Sequence, residues 1–257
     1  LLEARLLDFD LVVLGALALP IDETIAQVLP ACATVATYVA DTADLLHRAV
    51  AAGKTIMFEG AQGVLLDIDF GTFPFVTSSN TGIGGVITGS GLSHKHFGEV
   101  IGIVKAYSTR VGSGPFPVEL KNAIGDALRA RGHEYGATTG RPRRCGWLDL
   151  VGVRFAARLN GVDSIALTKL DVLTGEKELP VCIGYLLDGV ELDTVPARCE
   201  DYERVQPVWQ MLPGWNEDIR HCRHFEQLPA AAQGYVRFVE ERTGVHVKWI
   251  GTGPGRD

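Results

Sequence analysis

Residues 148–171 read LDLVGVRFAARLNGVDSIALTKLD, and this stretch decides the fold. Residues 148–160 have the apolar spacing of an α-helix, with Asp149 in the first turn, where its charge suits the helix dipole. Residues 164–167 form a short apolar strand, and the polar letters TKLD follow it. A helix that alternates with a short buried strand is typical of α/β proteins.

Helices and short strands also alternate on both sides of this stretch. The spacing of apolar residues predicts helices over residues 23–52, 122–130 and 229–242. Short apolar runs predict strands over residues 55–58, 100–106, 181–185 and 247–250. We therefore expect an α/β fold with a mostly parallel central sheet flanked by helices. Ligands of such sheets bind beyond the carboxyl ends of the strands, which here are followed by polar or glycine-rich turns.

The composition is that of an ordinary globular protein, and it excludes several functional classes. The chain has 257 residues, of which 46% are hydrophobic and 21% charged, and its net charge is −7. That negative charge argues against binding to nucleic acid or to anionic membranes. No apolar run reaches the ~18–20 residues of a membrane span. The five cysteines are scattered without a C-x-x-C pair, so we expect reduced thiols, a cytoplasmic location and no metal site in this chain.

An arginine-rich segment is the strongest candidate for an anion site. Residues 138–144 read TTGRPRR and place three arginines within four residues, where their charges repel unless anions balance them. Gly140 allows close approach of the backbone to a ligand, and Pro142 stiffens the loop. Arginine side chains bind carboxylates and phosphates through two parallel hydrogen bonds. A small-anion pocket is one interpretation, and a solvated basic loop is the other.

The TKLD turn after the strand at residues 164–167 could recognise guanine. Asp171 can accept hydrogen bonds from both N1–H and the 2-amino group of guanine, a pair of donors that adenine does not offer. The aliphatic stem of Lys169 can lie along the base while its charge stays in water. The turn resembles the N-K-x-D element of GTPases, with Thr168 in place of Asn. A surface Lys–Asp turn is the alternative.

Three further motifs carry weaker signals. The GKT tripeptide at residues 53–55 lacks the spacing of a phosphate loop, so we interpret it as part of a helix C-cap. The glycine-rich residues 81–91 are interpreted as a flexible loop over a ligand. Gln62 follows the first predicted strand and offers an amide donor and acceptor to a ligand, although a turn-capping role is the alternative.

Several of these motifs, taken in order, resemble those of adenylosuccinate synthetases. The matching segments are FEGAQG (58–63), LDID (66–69), VTSSN (76–80), KAYSTRVG (105–112), TTGRPRRCGWLD (138–149), TKLDVL (168–173) and PGW (213–215). The resemblance covers roughly residues 51–257 and implies a P-loop-like GTP-dependent ligase fold. It also implies that residues 1–257 form the C-terminal portion, about three-fifths, of a single catalytic domain that lacks its N-terminal part.

The resemblance implies a reaction as well. Members of the family make adenylosuccinate from IMP, L-aspartate and GTP with Mg²⁺, through a 6-phosphoryl-IMP intermediate, and they act as homodimers in AMP biosynthesis. The implied IMP contacts are Gln62, which would also stabilise the 6-phosphoryl group, Thr77, Val111 and Arg141. The implied aspartate contacts are Thr138, Thr139, Gly140, Arg141, Pro142 and Arg143. The implied GTP contacts are Arg143, Lys169, Leu170, Asp171, Gly251, Thr252 and Gly253.

The sequence also departs from the family pattern. The phosphate loop G-D-E-G-K-G-K, which supplies the general base and helps to hold Mg²⁺, does not occur in it, and the histidine general acid is absent too. We therefore expect this chain to be inactive by itself, and a non-catalytic nucleotide-binding module is the alternative. Phe70 replaces a frequent His, Val118 a usual Thr and Gly251 a usual Ser, so one hydroxyl contact to guanine is in doubt.

Overall fold

The computed structural model describes residues 21–136 and 140–255. The chain divides into two compact units, residues 1–56 and 57–257. The described part of the first unit holds helices α1 (Ile21–Ala36) and α2 (Thr42–Ala51). The single helix predicted over residues 23–52 is thus interrupted, because the Asp41 side chain accepts the Asp44 N–H and begins a new helix. Gly53 follows that helix in a left-handed conformation, as the C-cap interpretation required.

The second unit contains the strands and the remaining helices. Its strands are β1 (Ile101–Lys105), β2 (Ser108–Arg110), β3 (Arg144–Gly146), β4 (Leu148–Asp149), β5 (Ser164–Thr168), β6 (Glu178–Leu187), β7 (Val190–Leu192), β8 (Gln206–Pro213) and β9 (His246–Ile250). Its helices are α3 (Ile83–Ser90), α4 (Ala123–Arg131), α5 (Leu150–Asn160), α6 (Cys199–Arg204) and α7 (Ala230–Thr243). Single 3₁₀ turns lie at Val64–Leu66, His94–His96, Leu170–Leu173 and Phe225–Gln227.

A parallel sheet of three strands positions the candidate site. β5 lies between β1 and β9 and pairs with both in parallel. Lys105 is opposite Thr168, and Leu167 is opposite Ile250, so the three carboxyl ends lie along one edge. This arrangement confirms the predicted α/β fold with a parallel sheet. A second sheet adds antiparallel pairing, because β6 pairs with β4 in parallel and with β7 and β8 antiparallel.

Apolar residues from these strands and helices form the core beneath the parallel sheet. Leu167 of β5, Leu150 of α5 and Val239 of α7 are all fully buried in one cluster. Tyr235 of α7 donates a hydrogen bond from its hydroxyl to the Ala106 carbonyl, 2.6 Å away, just after β1. The core therefore fixes the end of β1, from which the site begins.

Two local predictions were wrong. Residues 55–58 form no strand in the part of the chain that the structure describes; Met57 there is 86% exposed, so the apolar run has no sheet to pack against. The glycine-rich residues 81–91 are not a flexible loop, because most of them form α3. The side-chain oxygen of Asn160 accepts the Ile83 N–H at 2.7 Å, and this bond caps the helix from the end of α5.

Within residues 21–136 and 140–255, no helix combines the length and the apolar character needed to cross a membrane.

Candidate active site

The turns after β5 and β9 are joined at the carboxyl edge of the parallel sheet. The Leu170 N–H donates to the Gly251 carbonyl at 3.0 Å, and the Gly251 N–H donates to the Leu167 carbonyl at 2.8 Å. These bonds place Lys169, Leu170 and Asp171 directly beside Gly251. Two segments that are far apart in sequence, and that the resemblance assigned to guanine, are therefore neighbours.

The rest of the β9 turn packs against residues 220–222. The Thr252 hydroxyl donates to the Cys222 carbonyl at 3.4 Å. A Cβ atom added to Gly253 would lie 3.4 Å from Cγ of Arg220, and one added to Gly251 would lie 3.2 Å from Cα of Thr168. A side chain at position 251 would therefore crowd Thr168, whereas one at position 253 would make an ordinary van der Waals contact with Arg220.

Asp171 is half-buried at this edge, and its carboxylate is available to a ligand. Burial raises its pKa above the usual range, and the positive charges of Arg220 and Lys169 partly oppose that rise. No other side chain in residues 21–136 and 140–255 donates a hydrogen bond to it, and Arg220 is paired with Asp218 instead. Such a carboxylate can accept two hydrogen bonds from one flat donor pair.

Lys169 is held at both its backbone and its ammonium group. Its φ angle is 60°, in the left-handed region that non-glycine residues rarely adopt. Its Nζ donates to the Gly132 carbonyl at 2.6 Å and to Oε1 of Glu134 at 2.9 Å. The ammonium is thus hydrogen-bonded to the protein at a partly exposed position, whereas the sequence predicts a charge that stays in water.

Glu134 lies at this edge of the sheet and binds residues from several elements, and it was not predicted from the sequence. Its carboxylate is 0% exposed and accepts hydrogen bonds from Lys105 Nζ (2.9 Å), Tyr107 OH (2.6 Å), Arg143 Nη1 (2.7 Å) and Lys169 Nζ (2.9 Å). Burial raises the pKa of Glu134, but the four donors outweigh it and leave the pKa at about 2. One signal was available, since Glu134 is the only acidic residue among the five arginines of residues 129–144.

The described part of the arginine-rich segment is anchored by internal carboxylates. Arg143 donates to Glu134 from both its side chain (2.7 Å) and its backbone N–H (2.9 Å, to the Glu134 carbonyl). Arg144 donates to both oxygens of Glu119, at 2.8 and 2.6 Å, and lies over the Phe116 ring. Arg144 thus has a carboxylate partner of its own, whereas Arg143 shares Glu134 with Lys105 and Lys169.

The tip of the segment is more open. Arg141 and Pro142 are exposed, and Gly140 has a φ of 64°. The Gly140 N–H donates to the Gly136 carbonyl at 2.8 Å, and the Gly136 N–H donates to the Arg141 carbonyl at 2.9 Å. Thr138 and Thr139, which the resemblance assigns to aspartate, lie outside the described residues.

Gln62 and Thr77, two of the residues that the resemblance assigns to IMP, belong to one segment organised by a buried aspartate. Asp67 accepts the backbone N–H groups of Asp69, Phe70, Thr81 and Gly82. Burial raises the pKa of Asp67, but these four donors together hold it below the usual range. The Thr81 hydroxyl donates to the Gly63 carbonyl at 3.2 Å, which ties in the turn of Gln62.

Arg110 joins that segment to the loop of Val111. Its buried guanidinium donates to the Thr72 hydroxyl (2.8 Å), the Phe75 carbonyl (3.2 Å) and the Ser113 carbonyl (3.0 Å). Thr77 and the half-exposed Val111 are thereby held on adjoining loops, while Gln62 is exposed with a left-handed φ of 65°.

The described residues do not fit the Mg²⁺ that the resemblance implies. Across residues 21–136 and 140–255, no three His, Cys, Asp or Glu side chains converge where a metal ion could bind.

The comparisons with known proteins identify the family. The family model described as adenylosuccinate synthetase matches residues 4–257. The chain belongs to the adenylosuccinate synthetase family. The adenylosuccinate synthetase of Pelobacter propionicus is 56% identical over 220 residues, which are 86% of this chain and 51% of that protein. That of Thermobifida fusca is 50% identical over 240 residues, 93% of this chain and 56% of that protein.

The structural comparison agrees. The structure of fully ligated adenylosuccinate synthetase from Plasmodium falciparum matches with a TM-score of 0.93 at 38% identity, over 99% of this chain and 61% of that chain. This chain thus has the adenylosuccinate synthetase fold, and it spans about half the length of the curated relatives it matches. The ligand contacts of individual residues stay predictions.

Proposed function

We propose that this protein serves the GTP-dependent joining of IMP and L-aspartate to form adenylosuccinate, a step of AMP biosynthesis. In the first step N1 of IMP loses its proton and the 6-oxygen takes the γ-phosphoryl group of GTP, which gives GDP and 6-phosphoryl-IMP. The aspartate amine then attacks carbon 6, loses a proton and displaces inorganic phosphate. Membership of the family and the cationic edge of the parallel sheet support this proposal.

The observation that carries the proposal is the Asp171 carboxylate beside Gly251. Guanine would donate its N1–H and 2-amino hydrogens to Asp171, with the stem of Lys169 along the base and Leu170, Thr252 and Gly253 completing the turn. ATP would be rejected because adenine presents an acceptor at N1, which a carboxylate repels. Selection by a buried polar group left unpaired is worth several orders of magnitude in favourable cases.

The remaining residues divide among the other ligands. Arg143 would contact the GTP phosphates, and Gln62 would donate its amide N–H to the 6-phosphoryl group. Thr77, Val111 and Arg141 would contact IMP. Residues 138–143 would bind aspartate, and Arg141 would donate two parallel hydrogen bonds to one of its carboxylates. We also expect a homodimer in the cytoplasm.

The 257-residue chain by itself would bind nucleotide without turnover. Its sequence contains no G-D-E-G-K-G-K loop, and positioned acid–base groups each contribute about 10²–10⁴-fold to the rate. The same observation favours the second candidate function, a nucleotide-binding module. IMP separates the two, because a ligase site binds IMP at Thr77 and Val111, whereas a simple module binds GTP alone.

Isothermal titration calorimetry of the chain with GTP, ATP and IMP tests the proposal. We expect GTP and IMP to bind and ATP to bind at least about tenfold more weakly. Asp171→Asn should weaken GTP by about 10- to 100-fold, since it loses a charged acceptor. Asp188→Asn is the matched control, because Asp188 lies in the turn between β6 and β7 and pairs with Arg204 of α6. Equal binding of ATP and GTP would refute the guanine assignment.

A further inference from the structure

One buried carboxylate connects three separate parts of the candidate site. Glu134 receives Lys105 from the end of β1, Lys169 from the turn after β5 and Arg143 from the arginine-rich segment. The Glu134 side chain is 0% exposed, while those of the three cations are 26%, 34% and 30% exposed, respectively. The cations therefore line the surface of the edge, and the carboxylate lies behind them.

The charges explain why the position of this carboxylate matters. Three positive groups share a single negative one, so two positive charges remain unbalanced at the surface, which suits an anionic ligand. Without Glu134 the three cations would repel one another and separate. When Glu134 is present, it binds the Lys169 ammonium, and the backbone of Lys169 holds the other end of the side chain. The side chain therefore loses its rotamer entropy before any ligand binds, and ligand binding does not have to supply that cost.

We propose that Glu134 is a positioning residue that sets Lys169 and Arg143 for guanine nucleotide and links the guanine turn to the arginine-rich segment. The inference rests on the proposed function in that Lys169 and Arg143 are taken to contact GTP. Glu134 itself does not contact the ligand, because it is fully buried behind them. Loss of its charge should therefore act on nucleotide binding through the two cations.

The test combines a measurement on the lysines with a measurement on GTP. The variants are Glu134→Gln, which keeps the shape and removes the charge, and Glu134→Asp, which keeps the charge but withdraws it by about one C–C bond, roughly 1.5 Å. Glu119→Gln is the matched control, because Glu119 pairs with Arg144 on the same segment but not with Lys169. The chain has seven lysines, so their ¹⁵Nζ NMR signals can be assigned by single substitutions.

We expect the Nζ signal of Lys169 to be protected from exchange in the wild type and in Glu119→Gln, and to be lost in Glu134→Gln. GTP titrated by calorimetry should bind about 5- to 50-fold more weakly to Glu134→Gln and about 3- to 10-fold more weakly to Glu134→Asp, with a change under twofold for Glu119→Gln. If Glu134→Gln does not fold, Glu134→Asp alone carries the test, since it keeps the buried counter-charge.

Two results would overturn the inference. One is a Lys169 Nζ signal that is unchanged in the folded Glu134 variants. The other is GTP affinity within twofold of wild type in those variants while Lys169→Met loses more than tenfold. A wild-type chain that binds no GTP, but whose Lys169 signal depends on Glu134, refutes the proposed function and leaves the positioning of Lys169 supported.

Discussion

Asp171 has a raised pKa, and no other described side chain donates a hydrogen bond to its carboxylate, so the proposed guanine site should depend on pH. In the proposed site guanine binds the ionised form, so the affinity is full above the raised pKa of Asp171 and falls as the pH drops through it. We expect the dissociation constant of GTP to increase in the wild type over the acidic range in which Asp171 takes up its proton. In Asp171→Asn the same titration should be flat over this range. Calorimetry, with circular dichroism to confirm folding at each pH, would show this, and identical pH profiles for the two proteins would contradict it.

The pKa of Glu134 is lowered, whereas that of Asp171 is raised, and we expect the lowered pKa to make the stability of the fold depend on pH. Its pKa is about 2 in the folded chain, below the value of an unfolded Glu. A lowered pKa stabilises the fold above the unfolded pKa, and this stabilisation is lost as the pH falls toward the folded value. The free energy of unfolding of Glu134→Gln should therefore be lower than that of the wild type by about 3–5 kcal/mol near pH 7.

The difference between the two proteins should shrink steadily from about pH 4.5 toward pH 2. Urea unfolding at several pH values measures it. A difference that stays constant down to pH 2 would mean that the charge of Glu134 is not the stabilising feature.

Candidate site residues could be predicted where they belong to a local sequence motif. They were missed where residues distant in sequence come together only in the fold. Asp171 and Lys169 follow a strand in a recognisable turn. Glu134 has no such motif, because its donors Lys105, Tyr107 and Lys169 lie 29, 27 and 35 residues away. Only the parallel register of β1 and β5 brings those donors to one place, and register is not visible in one sequence.

Some helix ends were predictable and others were not, since the helix predicted over residues 23–52 is two helices. The helix predicted over residues 122–130 is α4, and the Asn122 side chain accepts the N–H groups of Ile124 and Gly125. Strand 55–58 was wrong because an apolar run forms a strand only when a partner strand and a covering layer are present. Residues 81–91 were predicted to be a loop because glycine disfavours a helix. Most of them form α3 instead, and the cap of that helix comes from Asn160, 77 residues after Ile83.

The cap of α4 can be tested separately from the site. Asn122→Ala should lower the free energy of unfolding by about 1 kcal/mol, the usual cost of an N-cap. It should leave the dissociation constant of GTP within twofold, because the helix remains formed and Glu134 lies beyond its other end. Urea unfolding and calorimetry measure the two effects. If the free energy of GTP binding fell by more than the free energy of unfolding, α4 would control the site directly.

The arginine-rich segment gives different expectations for two neighbouring arginines. The Arg141 residue is exposed, and the resemblance assigns it to IMP and aspartate; Arg144 is less exposed and pairs with Glu119. Arg141→Leu should weaken IMP by about 10- to 100-fold, the cost of one charge-assisted pair, and Arg141→Lys should restore little, because an ammonium cannot form the fork. Arg144→Leu should lower stability and leave IMP within about threefold. Calorimetry with IMP decides, and equal effects at the two positions would contradict the distinction.

At the scale of the whole molecule, the net charge and the site have opposite signs. The chain carries −7, yet the edge with Lys105, Arg143 and Lys169 keeps a local positive excess around Glu134. At physiological ionic strength charges further than about 8 Å apart are largely screened. The nearby cations therefore determine the potential that a small anion meets at the edge.

Because ligand binding and folding are coupled, GTP should stabilise the folded chain by an amount set by its concentration. At a hundredfold excess over its dissociation constant the gain is about 2.7 kcal/mol. For a chain of this size that corresponds to a rise in Tm of about 5–10 °C. ATP at the same concentration should raise the Tm of the wild type by about half as much or less, because we expect the Asp171 carboxylate to disfavour adenine. In Asp171→Asn the response to GTP should fall to the level of ATP, and Asp188→Asn should respond like the wild type. Equal shifts with GTP and ATP in the wild type would mean that the phosphates alone are bound and that the turn beside Gly251 does not recognise the base.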